Sequence, residues 1–278
     1  MFAAVEKRTI DRVKLAYRVA GDPAAPLIVL IHGLTGSSSD WEQTAQALAA
    51  AGWRIIAPDC PGHGGSEAPN EPEVYDPANV GDLLHALVLE QTHTPAVLVG
   101  NSMGGAIAQE YAIRHRRDAR ALVLVDSAGD LRQPITRQPG HQDFVEKELK
   151  VGLEEGMAAI WELHQEMRGW MFAGNFPLHI QELMKARVCR TSAKGYLFGD
   201  RALGTRRKTL ADLARLDIPT LVMCCEHEGR MLKDVAEDLA ATIPEAKYEI
   251  IPSAWHQPQL ENPAAFNSAL LNFLAVLS

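Results

Sequence analysis

Short, continuous apolar runs alternate with longer amphipathic stretches along most of this chain. The runs Ile28-Val29-Leu30-Ile31 and Leu122-Val123-Leu124-Val125 contain no polar residue, which is typical of strands buried on both faces of a parallel sheet. The pattern therefore predicts an α/β fold, with a mostly parallel central sheet flanked by helices. The predicted strands are Leu15–Val19, Leu27–His32, Arg54–Pro58, Ala96–Gly100, Ala121–Asp126, Thr220–Cys224 and Tyr248–Ile251. The predicted helices are Ser39–Ala51, Pro77–Gln91, Met103–Arg114, Leu232–Ala241 and Pro263–Leu277.

The alternation stops in the middle of the chain, where Glu, Met, Trp, Arg and Leu dominate and strand-like runs disappear. We therefore predict a helical cap at residues 128–216, inserted into a core made of residues 1–127 and 217–278. Large apolar side chains of this segment either line a pocket over the core or pack the cap onto it, and the sequence leaves both open. They are Trp161, Met167, Trp170, Met171, Phe172 and Phe176.

Composition and charge narrow the function classes. The chain has 278 residues, 47% of them hydrophobic, and a net charge of -8, so neither nucleic acid nor an anionic membrane is an expected partner. The first residues, with Glu6, Lys7 and Arg8 among them, contain no apolar run of the length that a signal peptide needs, which argues against one. The four cysteines form no disulfide framework, since Cys224 and Cys225 are neighbours. We expect a cytoplasmic protein that acts on a small molecule, with a homo-oligomer left open.

The sharpest chemical signal is Gly100-Asn101-Ser102-Met103-Gly104, at the point where a predicted strand ends and a predicted helix begins. A sharp turn there strains the central residue and brings neighbouring chain close on both sides, which glycines at 100 and 104 permit. Ser102 Oγ would project from the edge of the sheet as a nucleophile. The N–H group of Met103, at the helix N-terminus, could stabilise an oxyanion. A plain helix-capping serine is the alternative.

Taken with this turn, two further strings make the chain resemble the α/β-hydrolase family over nearly its whole length. They are His32-Gly33-Leu34 and Asp59-Cys60-Pro61-Gly62-His63-Gly64-Gly65-Ser66. The resemblance implies the α/β-hydrolase fold with its inserted cap, and an oxyanion hole formed by the N–H groups of Leu34 and Met103. Residues 187–203 and the elbow are similar to 3-oxoadipate enol-lactonase-like and esterase members.

The resemblance also implies a base and an acid. His256 lies between the last strand and the last helix, and the order Ser102 then His256 matches the family. Glu228 takes the position of the family's usual Asp, 28 residues before His256. Asp126, at the end of an earlier strand, is the alternative acid, and an incomplete triad is a third reading. Trp255 replaces the usual Gly and is expected to narrow the site or touch substrate.

No metal and no cofactor are expected. Glu226-His227-Glu228 contains possible metal ligands, but no second cluster and no His-Glu-x-x-His string accompanies it.

These residues predict a serine hydrolase that cleaves a small, fairly apolar carboxylic ester or lactone through an acyl-enzyme. Serine at the elbow argues against dehalogenase and epoxide hydrolase chemistry. One alternative is a C–C bond hydrolase of the meta-cleavage-product type, whose elbow is similar and whose substrate-carboxylate arginine matches Arg187. Two differences weaken that alternative. Those enzymes have a glycine-rich oxyanion loop, where this chain has His32-Gly33-Leu34-Thr35-Gly36, and a Trp after the histidine, where this chain has Gln257. A hydrolase-fold ligand receptor is the other alternative.

Overall fold

The computed structural model describes residues 2–130, 141–166 and 176–277. Within these residues, eight strands form one sheet in the order β1-β2-β4-β3-β5-β6-β7-β8. Pairing is antiparallel between β1 and β2 and between β2 and β4, and parallel for every other pair. The strands are β1 Glu6–Ile10, β2 Val13–Ala20, β3 Leu27–Ile31, β4 Arg54–Pro58, β5 Ala96–Asn101, β6 Ala119–Val125, β7 Thr220–Cys225 and β8 Lys247–Ile251.

Helices cover both faces of this sheet and fill the chain between β6 and β7. They are α1 Glu42–Ala50, α2 Pro77–Leu89, α3 Met103–Arg114, α4 His141–Glu154, α5 Met157–Glu166, α6 Leu178–Val188, α7 Ala193–Thr205, α8 Leu210–Leu213, α9 Arg230–Thr242, α10 Pro258–Glu261 and α11 Pro263–Leu274. The predicted fold class is confirmed, and each predicted strand and helix overlaps an observed one. The sequence analysis missed β1.

Strand β1 escaped prediction because its sequence, Glu6-Lys7-Arg8-Thr9-Ile10, has no apolar alternation. Its first four residues are exposed and only Ile10 is buried. As an edge strand it packs little side-chain surface, so its pairing with β2 depends on backbone hydrogen bonds.

Alternate residues of the central strands pack on opposite faces of the sheet. Val29, Leu98 and Leu124 pack on one face, against α2, α3 and α9. Leu30 and Val123 pack on the other face, against α1 and α11. Because both faces are covered, these strands need no polar residue, which explains the continuous apolar runs in the sequence.

The chain from β6 to β7 contains no strand among its described residues. Helices α4 to α7 carry a separate apolar cluster that includes Ile160, Trp161, Val188 and Tyr196. Leu213 of α8 packs with the sheet instead. The division into a core and a cap at residues 128–216 stays a prediction.

Two findings concern cysteines and membranes. All four cysteines are free thiols: Cys60, Cys224 and Cys225 are buried, and Cys189 is exposed. Across the part of the chain that the structure describes, we find no helix with the length and apolarity needed to cross a bilayer.

Parallel register brings the ends of four strands to one edge of the sheet. Ile31 pairs with Gly100, Gly100 with Leu124, and Val125 with Met223. The segments that follow β3, β5, β6 and β7 therefore lie side by side, as expected for binding sites of open α/β sheets.

Candidate active site

Ser102 lies between β5 and α3 with φ of 53° and ψ of -113°. This backbone conformation is strained for a residue with a side chain. The strand and the helix come so close here that a Cβ at Gly100 would lie 2.2 Å from Gly104 O. The glycines therefore permit the sharp turn, and the turn fixes the direction of the Ser102 side chain.

Alanine in place of Gly104 is expected to destabilise the fold by about 3 kcal/mol or more, because overpacking against rigid backbone forces the chain apart. The new Cβ would lie 2.1 Å from Ile31 O. Gly204→Ala in α7 is the matched control, since its Cβ would meet nothing within 4 Å. Urea unfolding of the two variants and wild type measures the difference. An unchanged midpoint for Gly104→Ala would contradict the packing described here.

The turn that follows β3 lies beside Ser102. A Cβ on Gly33 would be 3.3 Å from the Ser102 Cβ, and the Gly36 N–H closes the turn on Gly33 O at 2.9 Å. Among the described residues, neither the Leu34 N–H nor the Met103 N–H donates to a backbone carbonyl. Both donors are therefore available beside the serine.

His32 anchors this turn to the loop after β4. Its ring is fully buried, Nδ1 donates to Gly33 O at 2.8 Å, and Nε2 accepts from the Cys60 N–H at 3.0 Å. Burial lowers the pKa of His32, which favours the neutral ring that these two bonds require. His32 thus has a structural role at the start of the turn.

His256 and Glu228 are hydrogen-bonded through Nδ1 and Oε2. This leaves Nε2 as the ring atom for proton exchange. The His256 side chain is 32% exposed, whereas that of Glu228 is 11% exposed. No hydrogen bond joins Ser102 Oγ to His256 in the described part of the chain; such bonds are often long before substrate binds.

The backbone of His256 is held on both sides. Asn101, the neighbour of Ser102, donates its amide to His256 O at 3.0 Å. Glu261 Oε2 accepts from the N–H groups of Trp255 and His256, at 2.5 and 3.0 Å. The sequence analysis assigned no role to Asn101 or Glu261. The only signal for Asn101 was its place in the elbow, and Glu261 carried none.

Asp126 lies close to the same pair. Its backbone has φ of 43°, Oδ1 accepts from the Cys225 N–H at 2.9 Å, and Oδ2 is buried without a hydrogen-bond partner. A carboxylate oxygen of Asp126, a carboxylate oxygen of Glu228 and a ring nitrogen of His256 all lie within 4.8 Å of one another. Burial, together with the nearby Glu228 carboxylate, raises the pKa of Asp126.

The charge of His256 depends on these carboxylates. Burial of the ring acts to lower its pKa, but Glu228, with smaller contributions from Asp126 and Glu261, raises the pKa of His256 from 6.5 to about 9. The pair thus favours an imidazolium, which is the state a base reaches after taking a proton.

The three expected substrate contacts lie in different surroundings. The Trp255 ring lies near the rings of His227 and His179, with centroids 4.7 and 6.2 Å away. Trp161 is buried in the apolar cluster of α5 to α7. Arg187 is buried and its guanidinium is paired with Asp40. Of the other large apolar side chains in the predicted cap, Phe176 is partly buried. Met167, Trp170, Met171 and Phe172 lie outside the described residues.

Comparisons with known proteins agree with this architecture. The model of the alpha/beta hydrolase family matches residues 28–269. A 2-succinyl-6-hydroxy-2,4-cyclohexadiene-1-carboxylate synthase of Klebsiella pneumoniae is 26% identical, over 92% of this chain and 96% of the relative. A 2-hydroxy-6-oxo-6-phenylhexa-2,4-dienoate hydrolase of Burkholderia cepacia is 25% identical, over 99% and 96%.

Among solved structures, the enol-lactonase of Burkholderia xenovorans superposes with a TM-score of 0.81 at 23% identity, covering 97% of this chain and all of the other. At that identity the likeness shows the fold. The family match spans most of the chain, with the elbow and the His256 loop inside it. The chain therefore belongs to the alpha/beta hydrolase family.

Proposed function

We propose that this protein is a serine hydrolase that cleaves a small, fairly apolar carboxylic ester or lactone. The observation that carries the proposal is the strained Ser102 elbow beside two available N–H groups and the His256–Glu228 pair. A nucleophile, a base held by a carboxylate and a pair of oxyanion donors are the parts that acyl transfer requires.

In the first half-reaction, Ser102 Oγ attacks the acyl carbonyl carbon and His256 Nε2 takes the hydroxyl proton. The N–H groups of Leu34 and Met103 stabilise the oxyanion, and Glu228 stabilises the imidazolium through Nδ1. The tetrahedral intermediate then expels the alkoxide, which takes the proton from Nε2 and leaves as the alcohol.

In the second half-reaction, His256 removes a proton from water, which attacks the acyl carbon of the acyl-enzyme. The intermediate collapses with return of the proton to Ser102 Oγ and release of the carboxylic acid. With a lactone, the alcohol and the acid stay in one molecule, so the product is a hydroxy acid. An enol lactone gives an enol instead, which tautomerises to a keto acid.

Apolar surroundings support the substrate class. The Leu34 side chain packs against the apolar cluster of α5 to α7. Our proposed cap, residues 128–216, would cover this side of the serine. The enol-lactonase of similar fold supports the lactone option.

A C–C bond hydrolase is the second candidate, and the dienoate hydrolase relative favours it. The pairing of Arg187 with Asp40 weighs against it, because the guanidinium expected to hold a substrate carboxylate already binds a carboxylate of the protein.

Hydrolysis of p-nitrophenyl acetate and butyrate tests the proposal. With the p-nitrophenyl esters we expect a burst of p-nitrophenol in stopped flow, followed by steady turnover. With a small lactone or apolar ester as the substrate, we expect a higher turnover number. A 2-hydroxy-6-oxo-dienoate is assayed in parallel. Turnover of the dienoate alone would move the assignment to C–C hydrolysis, and absence of turnover with all substrates would favour a ligand receptor.

A further inference from the structure

Two side chains near the end of α6 contact the turn that carries the Leu34 N–H. Thr191 Oγ1 lies 3.1 Å from Thr35 O and 3.1 Å from Arg187 O, and its hydroxyl proton is shared between these two carbonyls. Arg187 donates from Nη2 and Nε to Asp40 Oδ2, at 2.7 and 3.2 Å. We name Arg187 and Thr191 the α6 clamp. Both contacts join residues about 150 positions apart in the chain.

Hydrogen bonds to the loop after β4 hold the two ends of this turn, and the Leu34 side chain packs against the core of the sheet between them. At one end, His32 accepts from the Cys60 N–H. At the other, the Ser38 N–H donates to Asp59 Oδ1 at 2.6 Å. Between them, Thr35 has φ of 68°, a left-handed conformation that a threonine keeps only under constraint. Its carbonyl is the group that Thr191 holds.

Packing around the ion pair leaves the turn little freedom. A Cβ on Gly36 would lie 2.5 Å from Asp40 Oδ2 and 2.6 Å from Arg187 Nη2. Both charged side chains are only 7% exposed. In such a buried pair, loss of one partner leaves an uncompensated charge and the segment must rearrange.

We infer that Arg187 and Thr191 are positioning residues of the oxyanion hole: they fix the Thr35 carbonyl and Asp40, and thereby aim the Leu34 N–H at the oxyanion. This inference rests on the proposed function. It assigns to Arg187 a role other than binding a substrate carboxylate, and it makes the helical segment after β6 part of the catalytic geometry.

An oxyanion donor acts on the transition state, so a mis-aimed donor lowers kcat with little change in KM. Removal of a whole donor typically lowers kcat by about 10²- to 10³-fold. Thr191→Val keeps the shape and removes the hydroxyl, and we expect it to lower kcat roughly 10-fold, as a partly displaced donor would. Thr191→Ser keeps the hydroxyl and should retain near wild-type kcat.

Arg187→Met should lower kcat at least as much as Thr191→Val. Arg190→Met is the control, because Arg190 is exposed and lies only three residues after Arg187 in the chain. If Arg187→Met fails to fold, Thr191→Val still tests the inference. Each kcat is expressed per active site from the burst amplitude, so that misfolded protein does not mimic a loss of rate.

Inhibition separates positioning from general damage. A trifluoromethyl ketone adds to the serine and places an oxyanion in the hole, whereas the matching methyl ketone binds largely without adding. In Thr191→Val we expect the trifluoromethyl ketone to lose the same factor as kcat, and the methyl ketone to bind as in wild type. Equal weakening of both inhibitors would overturn the inference.

Two further outcomes distinguish this inference from the proposed function. Wild-type kcat in Thr191→Val and Arg187→Met, with turnover still dependent on Ser102, would overturn the α6 clamp alone. A rise in KM confined to anionic esters in Arg187→Met, with kcat unchanged, would assign Arg187 to a substrate carboxylate. Absence of ester turnover in the wild type would overturn the proposed function and the inference with it.

Discussion

Ser102→Ala is expected to abolish the burst of p-nitrophenol and to lower turnover of p-nitrophenyl butyrate by roughly 10⁴- to 10⁶-fold, since loss of a nucleophile removes the covalent route. Residual hydrolysis would come from the oxyanion donors and from substrate binding. The fold should be unaffected, because a smaller side chain at φ of 53° introduces no new contact. Stopped-flow absorbance and steady-state rates measure both effects.

Ser268→Ala is the matched control, since Ser268 is exposed on α11, far along the chain from the elbow. It should retain wild-type burst and turnover. Turnover by Ser102→Ala at the wild-type rate would mean that another group carries the hydrolysis, and the proposed nucleophile would be wrong.

Glu228→Gln is expected to lower kcat by roughly 10³- to 10⁴-fold, because the wrong imidazole tautomer is then favoured. Asp126→Asn should lower kcat less than about 10-fold. Asp126 Oδ1 accepts a hydrogen bond from the Cys225 N–H. The side-chain oxygen of an asparagine can accept the same bond, so the substitution should preserve it. The comparison decides between the two candidate acids, since a larger loss in Asp126→Asn would make Asp126 the triad acid.

The pH profile gives the same comparison an independent readout. A base works in its neutral form, so kcat/KM rises as pH passes upward through the pKa of His256 in the free enzyme. Glu228 and its neighbours raise the pKa of His256 to about 9. In Glu228→Gln the main cause of that rise is gone, and the acidic limb should move to lower pH. An unmoved limb would count against the His256–Glu228 pair.

The architecture was predictable because it depends on local pattern. The apolar runs at Ile28–Ile31 and Leu122–Val125 lie within observed strands, and strand, turn and helix meet at Ser102 as predicted. Pattern failed at β1, where an edge strand buries almost nothing. Periodicity reports burial, so an element without burial gives no signal.

Supporting contacts of the site were beyond the sequence for a different reason. Asn101 and His256 are 155 positions apart, and Thr35 and Thr191 are 156 apart. No local pattern relates such residues, because only the folding of the whole chain brings them together. The strand–turn–helix pattern supplied Ser102, the resemblance supplied the roles of His256 and Glu228, and all three catalytic roles stay predictions. It could not supply Asp40 or Glu261, which hold backbone and carry no motif.

The left-handed residues at the sheet edge have a consequence for attempts to make this protein more heat-resistant. Thr35, Ser102 and Asp126 have φ of 68°, 53° and 43°, each about 1 to 3 kcal/mol less favourable than an ordinary conformation. Glycine would relieve that strain at all three positions, yet the Ser102 and Asp126 side chains belong to the proposed site, and a glycine at position 35 would loosen the turn that carries the Leu34 N–H. Gains in melting temperature and retention of turnover are therefore opposed along this edge, and a search for stabilising substitutions should start elsewhere, at exposed helical positions such as Gly204.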